Sequence, residues 1–176
     1  FEGGSTVDHG LLVEPPSDWM PDAPHWFLVT STGAEGAAAI DNSDPINDTA
    51  LTTSLKLVIS RVPAGSRVAV ANDGYWGIPV RTNWTYQSSF YAKASDGFSG
   101  PLTVAIESND GATVYASATV PTITDTWKHH QVTLKSGQVT PTADARFVLA
   151  APSAGTVNFN QVSLFPPVFM ERTGAA

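Results

Sequence analysis

The 176-residue chain contains no cysteine, so neither disulfides nor cysteine-ligated zinc can hold its fold together. At this length a single domain can bury enough surface to fold without them.

Basic residues are also few, since nine lysines and arginines stand against sixteen aspartates and glutamates, a formal net charge of −7. That charge would repel a phosphate backbone or an anionic membrane, so we expect no nucleic-acid and no membrane partner. Apolar runs of membrane-spanning length are absent from the sequence.

Helical periodicity is almost missing as well, because apolar residues alternate with polar ones and are rich in Val, Thr, Tyr, Phe and Trp. Turn residues such as Asn109-Asp110-Gly111 separate the alternating segments. The pattern predicts an all-β fold, an antiparallel β-sandwich of the jelly-roll, galactose-binding-domain-like type. The predicted strands lie at 54–62, 66–70, 75–80, 85–94, 102–108, 114–120, 127–134, 145–151 and 156–165, with two more near 26–30 and 37–41. We expect one domain over 1–169, followed by a linker or tail at 170–176.

Two triplets fit the acceptor pattern for N-glycosylation, at Asn47-Asp48-Thr49 and Asn83-Trp84-Thr85. Such triplets also arise by chance. They favour a secreted, extracellular protein over a cytosolic one, with Asn47 and Asn83 as the modified residues.

The order of four motifs carries a resemblance to a known family. GYWGIPV at 74–80 is followed by YQSSFYAK at 86–93, SGPLTV at 99–104 and VSLFPP at 162–167. Together they resemble the non-catalytic β-sandwich of fungal α-L-arabinofuranosidases of glycoside hydrolase family 51, a domain similar to carbohydrate-binding modules of families 4 and 9. The start of the chain, Phe1-Glu2-Gly3-Gly4, is similar to the point where the family's chain enters this module.

The resemblance implies a chain without catalytic residues. In the family, the acid/base and nucleophile glutamates belong to a catalytic barrel, which would lie outside this chain and would be one of its partners. The other implied partner is a plant cell-wall polysaccharide, arabinoxylan or arabinan. An independent glycosidase or lyase is disfavoured by the residues themselves, because Glu107 is the only glutamate within a predicted strand and such enzymes need a facing pair of carboxyl groups.

A structural calcium ion is a possible cofactor, and the sequence implies no other. Asp41 and Asp44 offer hard oxygen ligands in a loop, although such residues also serve as ordinary turn formers. Related modules often carry an aspartate in the last strand, where this chain has Asn160, an uncharged ligand. Zinc is disfavoured, because the adjacent His129 and His130 would point to opposite faces of a strand.

Sugar recognition usually combines exposed aromatic rings with amides and carboxylates. Alternation predicts that Trp76 and Trp84 face the core, together with Ile78, Val80, Tyr86 and Phe90. The predicted carbohydrate-binding residues are the outward or loop positions Tyr75, Gln87, Tyr91, Glu107, Tyr115, Trp19 and Trp26. For each of them a structural role, covering an edge or a sheet, is the competing interpretation.

Two functional hypotheses follow. In the first, the chain is a carbohydrate-binding module that contacts arabinoxylan, xylan or arabinan. In the second, it is a structural module that packs on the catalytic barrel and has no glycan affinity of its own.

Overall fold

A computed structural model describes residues 7–8, 11–12 and 18–167. The predictions for residues 1–4 and for the tail at 170–176 lie outside these described residues. Twelve strands are present in the described part: β1 Val7–Asp8, β2 Leu11–Leu12, β3 Trp26–Thr30, β4 Glu35–Asp41, β5 Ser54–Arg61, β6 Val68–Asn72, β7 Thr85–Ser95, β8 Leu102–Ser108, β9 Val114–Val120, β10 Lys128–Lys135, β11 Ala145–Ala151 and β12 Gly155–Phe165. Within these residues, no helix is long and apolar enough to cross a lipid bilayer.

The predicted antiparallel sandwich is confirmed. One five-stranded sheet has the order β10-β7-β12-β5-β4 and the other β3-β6-β11-β8-β9, while β1 and β2 form a separate hairpin. β8, β9 and β11 have the predicted bounds, and β7 and β12 each extend one residue beyond theirs.

The core lies between the two five-stranded sheets. Alternate side chains of the strands point into this core. Phe90 and Phe159, for example, face inwards from neighbouring strands, and their ring centroids are 6.1 Å apart. Tyr86 is also buried, and its hydroxyl donates a hydrogen bond to the carbonyl oxygen of Pro79 at 2.8 Å. Trp84 is half-buried and packs against the same core, as predicted.

A strand predicted at 75–80 does not form. The segment is a loop, in which Val80 forms an isolated bridge with Thr142 and the Ile78 backbone donates a hydrogen bond to Ala143. Gly74 and Gly77 have φ angles of +71° and +80°, which interrupt an extended backbone. Ile78 and Val80 are buried as predicted, but Trp76 is 70% exposed, so its assignment to the core was wrong.

Glu107 is another correction. It was predicted on an outer, solvated face, yet it is fully buried and forms ion pairs with Arg67 at 2.7 Å and with Arg146 at 2.8 Å. The Phe27 ring lies 5.8 Å from the guanidinium carbon of Arg146. A buried carboxylate needs such partners because desolvation strongly penalises an isolated charge. Glu107 is therefore a structural residue and cannot contact a glycan.

Glu107→Ala should lower the free energy of unfolding by about 3–5 kcal/mol, because the substitution leaves two arginines without their counter-charge. Chemical denaturation measures this. The matched control is Glu35→Ala at an exposed position of β4, which should change stability by less than about 0.5 kcal/mol. Equal effects of the two substitutions would contradict the structural role of Glu107.

His130 faces the interior side of the edge strand β10, where its ring stacks on Phe90 at 5.5 Å between centroids. Burial, with smaller contributions from Lys128 and His129, lowers the pKa of His130. Since the unfolded chain takes up this proton more readily, His130 stabilises the fold above its ordinary pKa of about 6.5 and progressively less as the pH falls below that value.

His130→Phe should therefore reduce the loss of thermal stability between pH 7.5 and pH 5.5. Thermal unfolding followed by circular dichroism at several pH values measures this slope. The control is Gln131→Phe on the exposed side of the same strand, which replaces a side chain that cannot titrate and should keep the wild-type slope. An unchanged slope in His130→Phe would rule out His130 as the titrating group.

Candidate functional site

The predicted sugar-binding residues separate onto three surfaces. Gln87 and Tyr91 lie on the outer face of the sheet formed by β10, β7, β12, β5 and β4. Because side chains alternate along β7, they point away from the core, whereas their neighbours Tyr86 and Phe90 point into it. The early tryptophans and Tyr75 lie at one end of the sandwich. Tyr115 belongs to β9 in the opposite sheet, where it is half-buried and packs against the core.

The first surface, which we call the open polar face, spans three neighbouring strands. Its members share an outward direction and at least partial exposure: Gln87, Ser89, Tyr91, His129, Gln131, Thr133, Ser163 and Phe165. His129 and Tyr91 are direct cross-strand partners, and their ring centroids are 4.9 Å apart. At the other end of the face, Phe165 pairs with Gln87 and is 44% exposed. The face therefore has a ring at each end.

Hydroxyl and amide groups fill the space between these rings. The Ser89 and Ser163 hydroxyls are 2.8 Å apart, and Thr133 donates a hydrogen bond to the Gln87 amide oxygen at 3.0 Å. These contacts orient the groups, and each hydroxyl or amide can still make a further hydrogen bond. Such a combination can hold a ligand that has both apolar faces and hydroxyl groups.

A loop at 42–53, which we call the strap, crosses the other half of this sheet. It follows β4 at one edge of the sheet, yet the carbonyl oxygen of Asp44 accepts a hydrogen bond from the indole of Trp127, which precedes β10 at the opposite edge. Lys93, on the inner strand β7, forms an ion pair with the Asp44 carboxylate. The strap thus divides the outer face into a covered half and the open polar face.

Asn158 and Asn160 lie in the covered half and are almost fully buried. The Asn158 amide donates to Asp41 at 3.0 Å and to Ser54 at 2.9 Å. The Asn160 amide donates to the carbonyl oxygen of Thr53 at 2.8 Å. The Asn160 amide therefore fastens the strap, whereas the Asn158 amide joins the ends of β4 and β5 on either side of it, and neither amide is presented to solvent.

The three predicted calcium ligands do not form a shared cluster. Asp41 accepts hydrogen bonds from Ser43, which lower its pKa, while Asp44 pairs with Lys93 and Asn160 bonds the strap. Within the part of the chain that the structure describes, no group of three or more acidic, histidine or cysteine side chains is arranged to hold a metal. A structural calcium remains an untested prediction.

The second surface lies at the end of the sandwich. Trp26 was predicted at an outward or loop position, which is wrong: it opens β3, within the strand predicted near 26–30, and its side chain is buried in the core. Trp19 is half-buried and its ring lies 4.0 Å from that of His25. Trp26 nevertheless lines a cleft of about 400 Å³, together with Asn72, Ile78, Tyr86, Phe147 and Ser163.

The loop beside this cleft carries the most exposed tryptophan of the described residues. Trp76 is 70% and Tyr75 50% exposed, and their rings meet edge to face at 4.7 Å. The exposure of Tyr75 agrees with the prediction, whereas that of Trp76 was missed. Its alternation with Ile78 pointed inwards, and only the two flanking glycines indicated a loop.

Both predicted glycosylation residues are accessible. Asn47 lies on the strap, and its side-chain oxygen accepts hydrogen bonds from Thr49, Ala50 and Leu51. Asn83 is exposed in the turn before β7, with a φ angle of +57°. This geometry leaves their modification as a prediction.

Taken by its fold, the protein is a β-sandwich of the carbohydrate-binding-module type. A family 4 carbohydrate-binding module superposes with a TM-score of 0.53 and 20% identity, over 92% of this chain and 99% of that one. This likeness concerns the fold alone. A scan against protein-family models finds no match.

The sequence relatives are fungal α-L-arabinofuranosidases. Alpha-L-arabinofuranosidase A of Aspergillus kawachii is 28% identical over 171 residues, which cover 93% of this chain and 26% of that enzyme. The arabinose-bound arabinofuranosidase MgGH51 is 33% identical with a TM-score of 0.63, over 81% of this chain and 23% of that one. The chain thus spans about a quarter of the length of the relatives it matches. The predicted resemblance to the non-catalytic β-sandwich of fungal family 51 arabinofuranosidases is confirmed.

The strap should behave as a separately fastened segment. Trp127→Phe combined with Lys93→Met removes both attachments of Asp44 described above, so amide hydrogen exchange at 42–53 should accelerate while β7 and β12 stay protected. Exchange followed by mass spectrometry measures this. Trp84→Phe, a tryptophan that packs elsewhere on the core, is the control and should leave the strap unchanged. Loss of protection throughout the sandwich would show that the strap is part of the core.

Proposed function

We propose that this chain is the carbohydrate-binding module of a secreted arabinofuranosidase and that it holds arabinoxylan, xylan or arabinan on the open polar face. The observation that carries the proposal is the arrangement of that face. A tyrosine–histidine pair and a phenylalanine lie at its two ends, with amides and hydroxyls between them. The similarity to arabinofuranosidases supports the proposal that the chain belongs to such an enzyme. We propose an extracellular location for that enzyme as well.

The length of the face suits an extended ligand. Tyr91 and Gln87 are four residues apart on β7, a separation of about 13 Å along a strand. Phe165 stands beside Gln87, so the two aromatic ends are about that far apart. A linear glycan lying along β7 would contact both rings, and its hydroxyls would meet Ser89, Ser163 and Gln87.

Both rings are needed on energetic grounds. Covering about 80 Å² of apolar sugar surface is worth roughly 2 kcal/mol per ring. A millimolar complex already requires about 4 kcal/mol net. Two rings with the intervening hydrogen bonds can therefore give a weak but measurable affinity, which is enough for a module tethered to a polymer-degrading enzyme.

The charge of the chain selects among polysaccharides. With a net charge of −7, the protein repels anionic polymers, so a neutral arabinoxylan or arabinan is favoured over polygalacturonate. The strap also restricts where a glycan can bind on this sheet. It covers the half that contains Asn158 and Asn160, so only the open polar face is accessible to a ligand.

Tyr91→Ala should weaken binding to arabinoxylan or arabinan oligosaccharides at least about tenfold, because one aromatic platform is lost. Isothermal titration calorimetry measures the affinity. Tyr115→Ala removes a half-buried tyrosine from the opposite sheet and should bind like the wild type. If the wild type gives no heat with millimolar ligand, the proposal fails and the hypothesis of a structural module on the barrel gains.

A further inference from the structure

We propose that the exposed pair Tyr75–Trp76 at the end of the sandwich is a second glycan-binding site, which stacks a neutral sugar ring beside the 400 Å³ cleft. The site is separate from the open polar face and does not rest on binding there. An exposed indole keeps a large apolar surface in water, which is unfavourable, and such exposure commonly marks a binding surface.

The loop that carries the pair is held in a single shape. Gly77 approaches the carbonyl oxygen of Ala143 so closely that an added Cβ would lie 2.4 Å from it, and Ile78 donates a backbone hydrogen bond to the same oxygen at 3.2 Å. On the other side, the backbone of Gly74 donates to the Asn72 side chain at 2.9 Å. Trp76 therefore sits on a fixed turn between two anchors. A fixed ring loses little entropy when a ligand stacks on it.

Side chains support the pair from beneath. Asp73 accepts hydrogen bonds from the Trp19 indole at 3.1 Å and from the His25 ring at 2.8 Å. The rings of Trp19, His25, Tyr75 and Trp76 then follow one another with centroid separations of 4.0, 5.6 and 4.7 Å. Both oxygens of Asp73 are engaged in these contacts, so the carboxylate serves as a support for the rings.

The cleft supplies the polar half of the site. Its wall combines apolar surface from Trp26 and Ile78 with the polar side chain of Asn72. A volume of about 400 Å³ lies within the ordinary range for small-ligand sites. The chemistry is therefore an aromatic surface with a few hydrogen-bonding groups beside it, which suits a sugar ring with apolar C–H faces and peripheral hydroxyls.

The small size of the patch decides between a glycan and a protein partner. The large apolar side chains exposed in the described residues are Leu28, Tyr75, Trp76, Val114 and Phe165. Only Tyr75 and Trp76 among them are consecutive residues whose rings touch. Two rings of about 150–250 Å² each fall well below the roughly 800 Å² per partner that a stable protein interface buries. A sugar is matched to a patch of this size, whereas a folded domain such as the barrel would need more.

Two variants test the site against the open polar face. Trp76→Ala and Tyr91→Ala are titrated with xylohexaose and with arabinohexaose, alongside Val114→Ala as a control that shortens another exposed apolar side chain. We expect Trp76→Ala to lose at least about fivefold in affinity for one of the two ligands, while Val114→Ala binds like the wild type. Because Trp76 is a fluorophore, the wild type should also show a ligand-dependent change of tryptophan emission that Trp76→Phe lacks and that Tyr91→Ala retains.

The outcomes separate the two proposals. Weakened binding in Trp76→Ala with the emission change still present in Tyr91→Ala supports the second site. If Trp76→Ala binds both ligands like Val114→Ala and the emission change is absent, the second site is wrong, whatever Tyr91→Ala does. Lost binding in Tyr91→Ala alone leaves the open polar face as the site, and an effect in Trp76→Ala alone moves the glycan to the sandwich end. Absence of binding in the wild type overturns both.

Discussion

The pairing of β7 with β12 is the constraint on which the rest of the structure depends. Both strands lie in the middle of one sheet, and alternation along them sends Phe90 and Phe159 into the core while it turns Tyr91 and Asn160 outwards. A bulge between Asn160 and Ser163 shifts the register. Beyond it Ser163 and Phe165 face outwards beside Ser89 and Gln87, so the position of the bulge determines which polar groups reach the open face.

A second constraint acts above the sheet. The strap follows the edge strand β4 and reaches across the sheet to the segment before the opposite edge strand, β10. Lys93 and Trp127 both hold it there through Asp44. This connection explains why Asn158, an outward residue of a sheet, is nearly buried. The strap thereby covers half of a sheet face that would otherwise be wholly accessible, and the open polar face is the half that stays exposed.

The sandwich end shows how loop geometry can produce exposure that alternation does not foresee. The strand pattern was correct for β7, where Tyr86 and Phe90 face the core, but it failed at Trp76 because Gly74 and Gly77 turn the backbone there. It also failed at Glu107, which is buried although the pattern places it on an outer face. Two arginines distant in sequence, Arg67 and Arg146, bury that carboxylate, and no local pattern records such a contact.

The sequence by itself determined the all-β class, the bounds of most strands, the inward rings of β7 and the resemblance to the arabinofuranosidase module, because period-two alternation, turn residues and motif order are local properties. Only the tertiary structure decided which outward residues share a surface. It buried Trp26 and Glu107, exposed Trp76 and laid the strap across the sheet. The burial of Glu107 and the course of the strap depend on contacts between residues about 40 to 120 positions apart, and strand periodicity carries no information about them.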